Sequence, residues 1–422
     1  MSAGPLSVIV AQIGARHYYA VPRILHARGA LERFYTDFTL HGALGRLAGA
    51  AASCASPALG AKVRRRVVSG VPSERVYSAP MVNLRPSLRR GAQAEARYTL
   101  ANELFGEQMI RWGIGEANVV YAMYNSGMPF WKHAKARGLK IAVDVFITPL
   151  YQQIVERELA MFPDWELASG ETGADQSLVE QRMRETIEVA DLLLCPAENV
   201  RGDLLAFAKQ AGIASVPPAV IVPYGSSVSQ GQASMPQPET GRVLYAGQAV
   251  LRKGIHYFAA AASMLSRGAG AKFDFRVAGH TNDRVRGHPD AGALNFLGLL
   301  SRDQMRAEYQ RADVFVLPTL AEGSASVVHE ALAAGLPVIT TRSAGSVVTH
   351  GREGLIIPER ESEALAAAIE KIVTDRPLRG AMARAALATA AQYGEGPWGD
   401  RLTSALAALI EPQLSRAASE TV

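Results

Sequence analysis

Short β-branched apolar runs alternate along the whole chain with amphipathic stretches of ten or more residues, which is the pattern of a parallel sheet with helical crossovers. In the first half the pattern predicts strands at Leu6–Gln12, Val119–Tyr124, Leu139–Phe146, Asp191–Pro196 and Ala219–Pro223. Ser226–Pro238 is then thirteen residues of Ser, Gln, Gly and Pro with almost nothing to bury, and reads as a linker. The alternation restarts with strands predicted at Arg242–Ala246, Phe273–Ala278, Asn295–Leu297, Asp313–Pro318, Pro337–Thr341 and Gly354–Pro358. Helices are predicted near 254–267, 301–311, 325–335, 361–374 and 378–392, and a last one from Trp398 to about Leu414. The expected fold class is therefore α/β, two Rossmann-like domains facing a cleft. We divide the chain into 1–218, 219–396 and a C-terminal helix 397–422 that crosses back onto the first domain.

Composition narrows the classes. With 48% hydrophobic and 20% charged residues over 422, each half has enough apolar material for its own core, and disorder is excluded. Two cysteines, Cys54 and Cys195, build neither a disulfide framework nor a thiolate metal site, so a reducing cytoplasm is expected. No run reaches the roughly 18 to 20 apolar residues of a membrane span. The net charge of +5 is unevenly placed: between Lys62 and Arg97 lie nine basic and two acidic residues, 9 − 2 = +7, which leaves 5 − 7 = −2 for the rest. That segment is either a surface for anionic lipid, peripheral on a membrane, or a solvated helical face; with no interleaved aromatics apart from Tyr77 and Tyr98, and no binding motif beside it, it is a poor fit to nucleic acid.

Several phosphate signatures are absent. Val10–Arg16 offers one glycine, Gly14, where a dinucleotide fold has three, and there is no Walker-type glycine-lysine loop and no Asp-x-Asp metal pair. What the chain does carry is Asp313-Val-Phe-Val-Leu-Pro-Thr-Leu-Ala-Glu-Gly-Ser-Ala-Ser-Val-Val-His-Glu330: a buried strand, a loop with Glu322 and Gly323, an expected N-cap at Ser324, and a helix. Free amides at Ser324, Ala325 and Ser326 would form an anion site suited to a diphosphate. Glu322 and Glu330 are then hydroxyl acceptors, for a sugar and a ribose, or two solvated glutamates. In Tyr245-Ala-Gly-Gln-Ala-Val-Leu-Arg-Lys-Gly254, a strand end with Gly247 and Gln248 precedes Arg252 and Lys253, a pair able to hold a diphosphate without a metal.

With these residues in view, the chain resembles a retaining glycosyltransferase of the GT-B fold, family 4, whose mark is two glutamates separated by seven residues, here Glu322 and Glu330. Pro223-Tyr-Gly225, Arg252-Lys-Gly254, Val277-Ala-Gly279, Phe296-Leu-Gly298, Arg311-Ala-Asp313 and Gly351-Arg-Glu-Gly-Leu-Ile-Ile-Pro358 support it, over about residues 190 to 360. The resemblance implies a nucleotide-diphosphate sugar in the second domain, with Glu330 at the ribose, Arg252 and Lys253 at the diphosphate, and Glu322 with the amides after Gly323 at the sugar. It implies a carbohydrate or lipid-linked acceptor in the first domain, transfer with retention, no cofactor and no metal. Gln248 stands where family members often carry Arg, and Asp144 and Phe146 stand where a histidine is common. Gly14, His17 and Asp144 are candidates on the acceptor side, and His280 for the sugar. A nucleotide-sugar-binding protein without transferase activity, and a nucleotide-sugar epimerase on the same fold, are the alternatives.

Overall fold

The structure is a computed structural model, and it describes residues 4–40, 66–80, 94–166, 176–225, 238–268 and 272–411, with Leu47 and Val82. Two wholly parallel sheets are present. The first has seven strands: β1 (Val8–Gln12), β2 (Leu31–Thr36), β3 (Val76–Ser78), β4 (Val119–Met123), β5 (Lys140–Asp144), β6 (Leu192–Cys195) and β7 (Ala219–Ile221), in the order β3-β2-β1-β4-β5-β6-β7. Its helices are α1 (Ala20–Ala27), α2 (Ala94–Trp112), α3 (Met128–Ala136), α4 (Tyr151–Met161), α5 (Gln176–Val189) and α6 (Glu198–Gln210).

The second sheet has β8 (Arg242–Ala246), β9 (Asp274–Ala278), β10 (Leu294–Gly298), β11 (Val314–Leu317), β12 (Val338–Thr340) and β13 (Gly354–Ile356), in the order β10-β9-β8-β11-β12-β13. Around it lie α7 (Ile255–Arg267), α8 (Asp283–Gly287), α9 (Arg302–Arg311), α10 (Ser326–Ala333), α11 (Ser362–Thr374) and α12 (Arg376–Gln392). β1, β4, β6, β8 and β11 are buried along their whole length. That is why they read as continuous apolar runs and not as alternating ones.

All six strands expected in the second half are found. In the first half β2 and β3 lie outside the predicted set. The apolar run of β2 is interrupted by Glu32 and Arg33, whose partners lie far along the chain: the Arg33 guanidinium donates to the Trp112 carbonyl at 2.5 Å, and Glu32 accepts from the Glu116 amide at 3.3 Å. β3 has only three residues and no periodicity of its own. One boundary moves: β7 pairs with β6 through Leu193–Ala219, Leu194–Val220 and Cys195–Ile221, so it belongs to the first sheet and the division at 218/219 falls too early. The linker expected at 226–238 lies almost wholly outside the described residues.

The C-terminal helix α13 (Glu395–Ala407) begins three residues earlier than predicted. It does cross back: Trp398, Leu402 and Leu406 are buried in the first domain beside Ile24 and Leu25 of α1. Each such side chain contributes about 1.5–3 kcal/mol relative to exposure. Arg23 of α1 and Arg28, the residue after it, tie this helix down through ion pairs with Glu395 at 2.6 Å and Asp400 at 2.7 Å.

In both sheets the strand order reverses once, between β1 and β4 and between β8 and β11. Ligands of open parallel sheets bind beyond the carboxyl ends of the strands at such reversals. Among the described residues, no helix is long and apolar enough to cross a membrane.

Candidate active site

At the reversal of the second sheet, the loop after β8 and the loop after β11 face each other. The β8 loop makes a tight turn at Leu251–Lys253 before α7; the β11 loop carries Glu322 and Gly323 before α10. Their charges meet. Glu322 Oε1 accepts from Arg252 Nη1 at 2.6 Å and lies 3.1 Å from Lys253 Nζ, and Arg252 also donates to the Ala321 carbonyl at 2.5 Å. Burial alone would raise the Glu322 pKa, but the two cations outweigh it and hold the carboxyl below its usual range. Gly247 ends β8 with φ near +134°, a conformation L side chains rarely adopt, and a side chain there would press on Lys253. Gln248 is exposed, and its carbonyl accepts from the Tyr245 hydroxyl.

Glu330, on α10, is half-buried; burial raises its pKa, and one oxygen accepts from the Tyr309 hydroxyl at 3.1 Å. The start of α10 differs from expectation in two ways. Its N-cap is Ala325, and the Ser324 hydroxyl instead meets His329 Nε2 at 3.1 Å. Of the three amides expected to bind an anion, that of Ala325 already donates to the Ala344 carbonyl, because the 342–344 turn seats against this loop. The Ser326 and Val327 amides open the helix with no acceptor inside it. His280 is exposed at the carboxyl end of β9, and its carbonyl accepts from Ala249.

The first domain closes directly on this loop. A Cβ on Gly323 would lie 1.6 Å from the Phe146 carbonyl oxygen, so only glycine allows the two backbones to approach. The Asn199 amide donates to the Glu322 carbonyl at 3.1 Å, and the Tyr151 ring lies beneath the Arg252 guanidinium at 5.4 Å. Sequence reasoning passed over Asn199, Tyr151 and Tyr309, which sit far from the motif along the chain.

On the acceptor side the loop after β1 is unusual. Gly14 has φ near +80° and donates its amide to Asp37 at 2.9 Å. His17, Tyr18 and Tyr19 are three successive non-glycine residues with positive φ, 49°, 51° and 59°. Left-handed backbone of this kind costs about 1–2 kcal/mol per residue. It is held by the Tyr19 hydroxyl on Phe38, by Arg23 on the Tyr18 carbonyl, and by the His17 ring packed against Tyr224 at 4.3 Å and Trp398 at 5.4 Å. Burial, then Arg16 and His329, lowers the His17 pKa to about 4, so the ring is neutral near pH 7. Arg16 stacks on Phe146 with its guanidinium carbon 3.5 Å from the ring centre.

Asp144 does not face a ligand. It is 2% exposed, with one oxygen accepting from the Tyr121 hydroxyl and the other from Tyr224 at 2.6 Å. Both oxygens are spent, and the Tyr224 ring stands between Asp144 and His17. As a substitute for a cleft histidine it is therefore corrected to a buried support of the first-domain floor. Six of the nine basic residues of segment 62–97 (Lys62, Arg64, Arg65, Arg85, Arg89 and Arg90) lie outside the described residues; among those described, Arg66 is engaged by buried Asp37 at 3.2 Å. Among the described residues no group of three or more His, Cys, Asp or Glu side chains is placed to hold a metal ion.

Facing Rossmann-like domains with the ionic cluster at their junction define a GT-B fold, and comparison with known proteins agrees. Residues 240–375 match the family model described as Glycosyl transferases group 1. A glycogen synthase of Mycobacterium tuberculosis is 32% identical over 164 residues, covering 36% of this chain and 38% of the relative. The chain thus aligns with well under half the length of that relative. Two solved structures share the whole architecture: sucrose-phosphate synthase from Thermosynechococcus elongatus (TM-score 0.63, 16% identity, 96% of this chain and 99% of that one) and Anabaena HepE in complex with UDP (TM-score 0.59, 14% identity, 96% and 100%).

Proposed function

We propose that the protein transfers a sugar from a nucleoside-diphosphate donor to a carbohydrate or lipid-linked acceptor, retaining the anomeric configuration and using side-chain cations in place of a metal. The observation that carries this reading is the grip of Glu322 on Arg252 and Lys253 at the reversal of the second sheet, beside the opening amides of α10. HepE, of the same architecture, is solved with UDP, which supports a nucleoside diphosphate in the corresponding cleft.

The donor diphosphate would meet Arg252 and Lys253, Glu330 with its Tyr309 partner would take the ribose hydroxyls, and Glu322 the sugar. As the bond from the anomeric carbon to the phosphate oxygen breaks, negative charge grows on the leaving diphosphate, and the two cations and the α10 amides stabilise it. The acceptor hydroxyl forms the new bond on the same face and gives its proton to the departing phosphate. Close approach of Phe146 to Gly323 excludes water from that point. The +7 segment 62–97 would draw the protein to an anionic membrane surface, where a lipid-linked acceptor resides.

Substituting Lys253 by Ala, which removes one stabiliser of transition-state charge, or Glu322 by Ala, which removes the sugar contact, is expected to lower kcat/KM by about 100-fold or more. Circular dichroism should stay unchanged. Unaltered turnover in both variants would remove the proposed site. Gln248, exposed where an Arg is common, favours a second reading, a binding protein without turnover; nucleoside-diphosphate binding with no transfer or donor hydrolysis would select it.

A further inference from the structure

The segment 151–166 follows β5 in the chain, yet most of its buried contacts are with the second domain. Trp165 sits in the core of that domain, stacked on His288 with ring centres 4.0 Å apart. Glu158 on α4 is 0% exposed and is held by three side chains of the second domain: Tyr257 Oη at 2.9 Å, His256 Nε2 at 3.1 Å and Arg360 Nε at 2.7 Å. A carboxylate so deeply buried persists only where every oxygen is engaged. Glu166 Oε2 accepts from the Leu251 amide at 3.0 Å, and the Tyr151 ring lies under Arg252.

These contacts bracket one stretch. Glu166 holds residue 251, Tyr151 lies against 252, and Glu158 grips 256 and 257, so the turn that presents Arg252 and Lys253 is fastened at both ends by a strap from the other half of the chain. The second domain's own contacts on the turn include the Arg252 carbonyl, which accepts from the Leu320 amide, and its guanidinium.

We propose that the strap 151–166 is a positioning element of the donor site, with Glu166 the positioning residue that sets the Leu251–Lys253 turn so that both cations face the diphosphate. This rests on the reading of Arg252 and Lys253 as the diphosphate cations. It predicts a loss confined to the part of the ligand those cations touch, because the strap reaches neither the ribose carboxylate Glu330 nor Tyr309.

The test uses the full-length chain and UDP, GDP and ADP, each beside its monophosphate, with the pair that raises the wild-type melting temperature most taken into calorimetry. Glu166→Ala is expected to weaken diphosphate binding by about 10-fold, the loss of one hydrogen bond to a charged group. Monophosphate binding should move by less than about 3-fold. Glu166→Gln keeps an acceptor for the Leu251 amide and should restore diphosphate binding to near wild type. Tyr151→Leu, which removes the ring beneath Arg252 without touching Glu166, should repeat the selective loss, and it decides the matter if the Ala variant fails to fold. Equal weakening of both nucleotides, or none, overturns the strap's role. Lys253→Ala is the control: if it too leaves diphosphate binding unchanged, the donor-site reading fails; if it alone weakens binding, only the strap inference fails.

Discussion

Replacing Asp144 by Asn removes an ionisable group from a place where its charge is poorly solvated. The carboxyl is buried at the end of β5; burial pushes its pKa from 3.8 up to about 6, against the opposing pull of the Tyr121 and Tyr224 hydroxyls and Arg16. The folded value lies above the unfolded one, so the stability linked to this group is fully present below about pH 3.8 and is lost as the pH rises through about 6. A gap of about 2 pH units corresponds to about 3 kcal/mol in total. Integrating the linkage relation, about half of that falls between pH 5 and pH 7.5. An amide of the same shape still accepts from one tyrosine and does not titrate. Urea unfolding of both proteins at pH 5 and pH 7.5, followed by circular dichroism, should show the Asn variant gaining on the wild type by about 1 to 1.5 kcal/mol as the pH rises. A difference between the two proteins that stays constant to within about 0.5 kcal/mol over that range would refute the assignment of a raised pKa to this carboxyl.

Two further outcomes follow from other parts of the cleft. Gly323→Ala places a methyl group where the Phe146 carbonyl oxygen stands 1.6 Å away, so the domains must part. Nucleoside-diphosphate affinity should survive while transfer falls by about 100-fold, as expected when reacting groups are displaced by about an ångström; kinetics and calorimetry on one preparation separate the two. His329 has its pKa lowered to about 4 by burial and then by Arg401. Its folded value lies below the unfolded 6.5, so the linked stability is present above about pH 6.5 and lost as the pH falls towards 4. Between pH 7.5 and pH 5 that amounts to about 2 kcal/mol. His329→Gln should shrink the wild-type loss over that interval by this amount in urea titrations, and an identical pH dependence in the two proteins would count against a buried neutral ring.

The second domain was legible in the sequence because its information is local. β8, β11 and β12 are buried along their whole length, and the functional groups follow the ends of β8 and β11 in the chain, so Glu322, Gly323, Arg252 and Lys253 could be named from spacing and resemblance. The helix ends were less secure: Ser324 looks like a cap by residue type, but its hydroxyl is drawn to His329, and the Ala325 amide is taken by the 342–344 turn, twenty residues away. In the first domain the local signal fails at β2, where Glu32 and Arg33 sit side by side within the strand and find their partners on other elements.

The amino-acid sequence by itself determined two parallel α/β sheets, the order of the second-domain elements and the cations and carboxylates at their ends, because periodicity and strand-end chemistry are written within about ten residues. The tertiary structure alone decided that β7 joins the first sheet, that Asp144 is enclosed by Tyr121 and Tyr224, that Phe146 closes on Gly323, and that Glu158 and Glu166 fasten the cation turn from about 100 residues away. Each of those depends on groups distant along the chain meeting in a buried place. There a charge persists only with partners the pattern along the chain does not reveal.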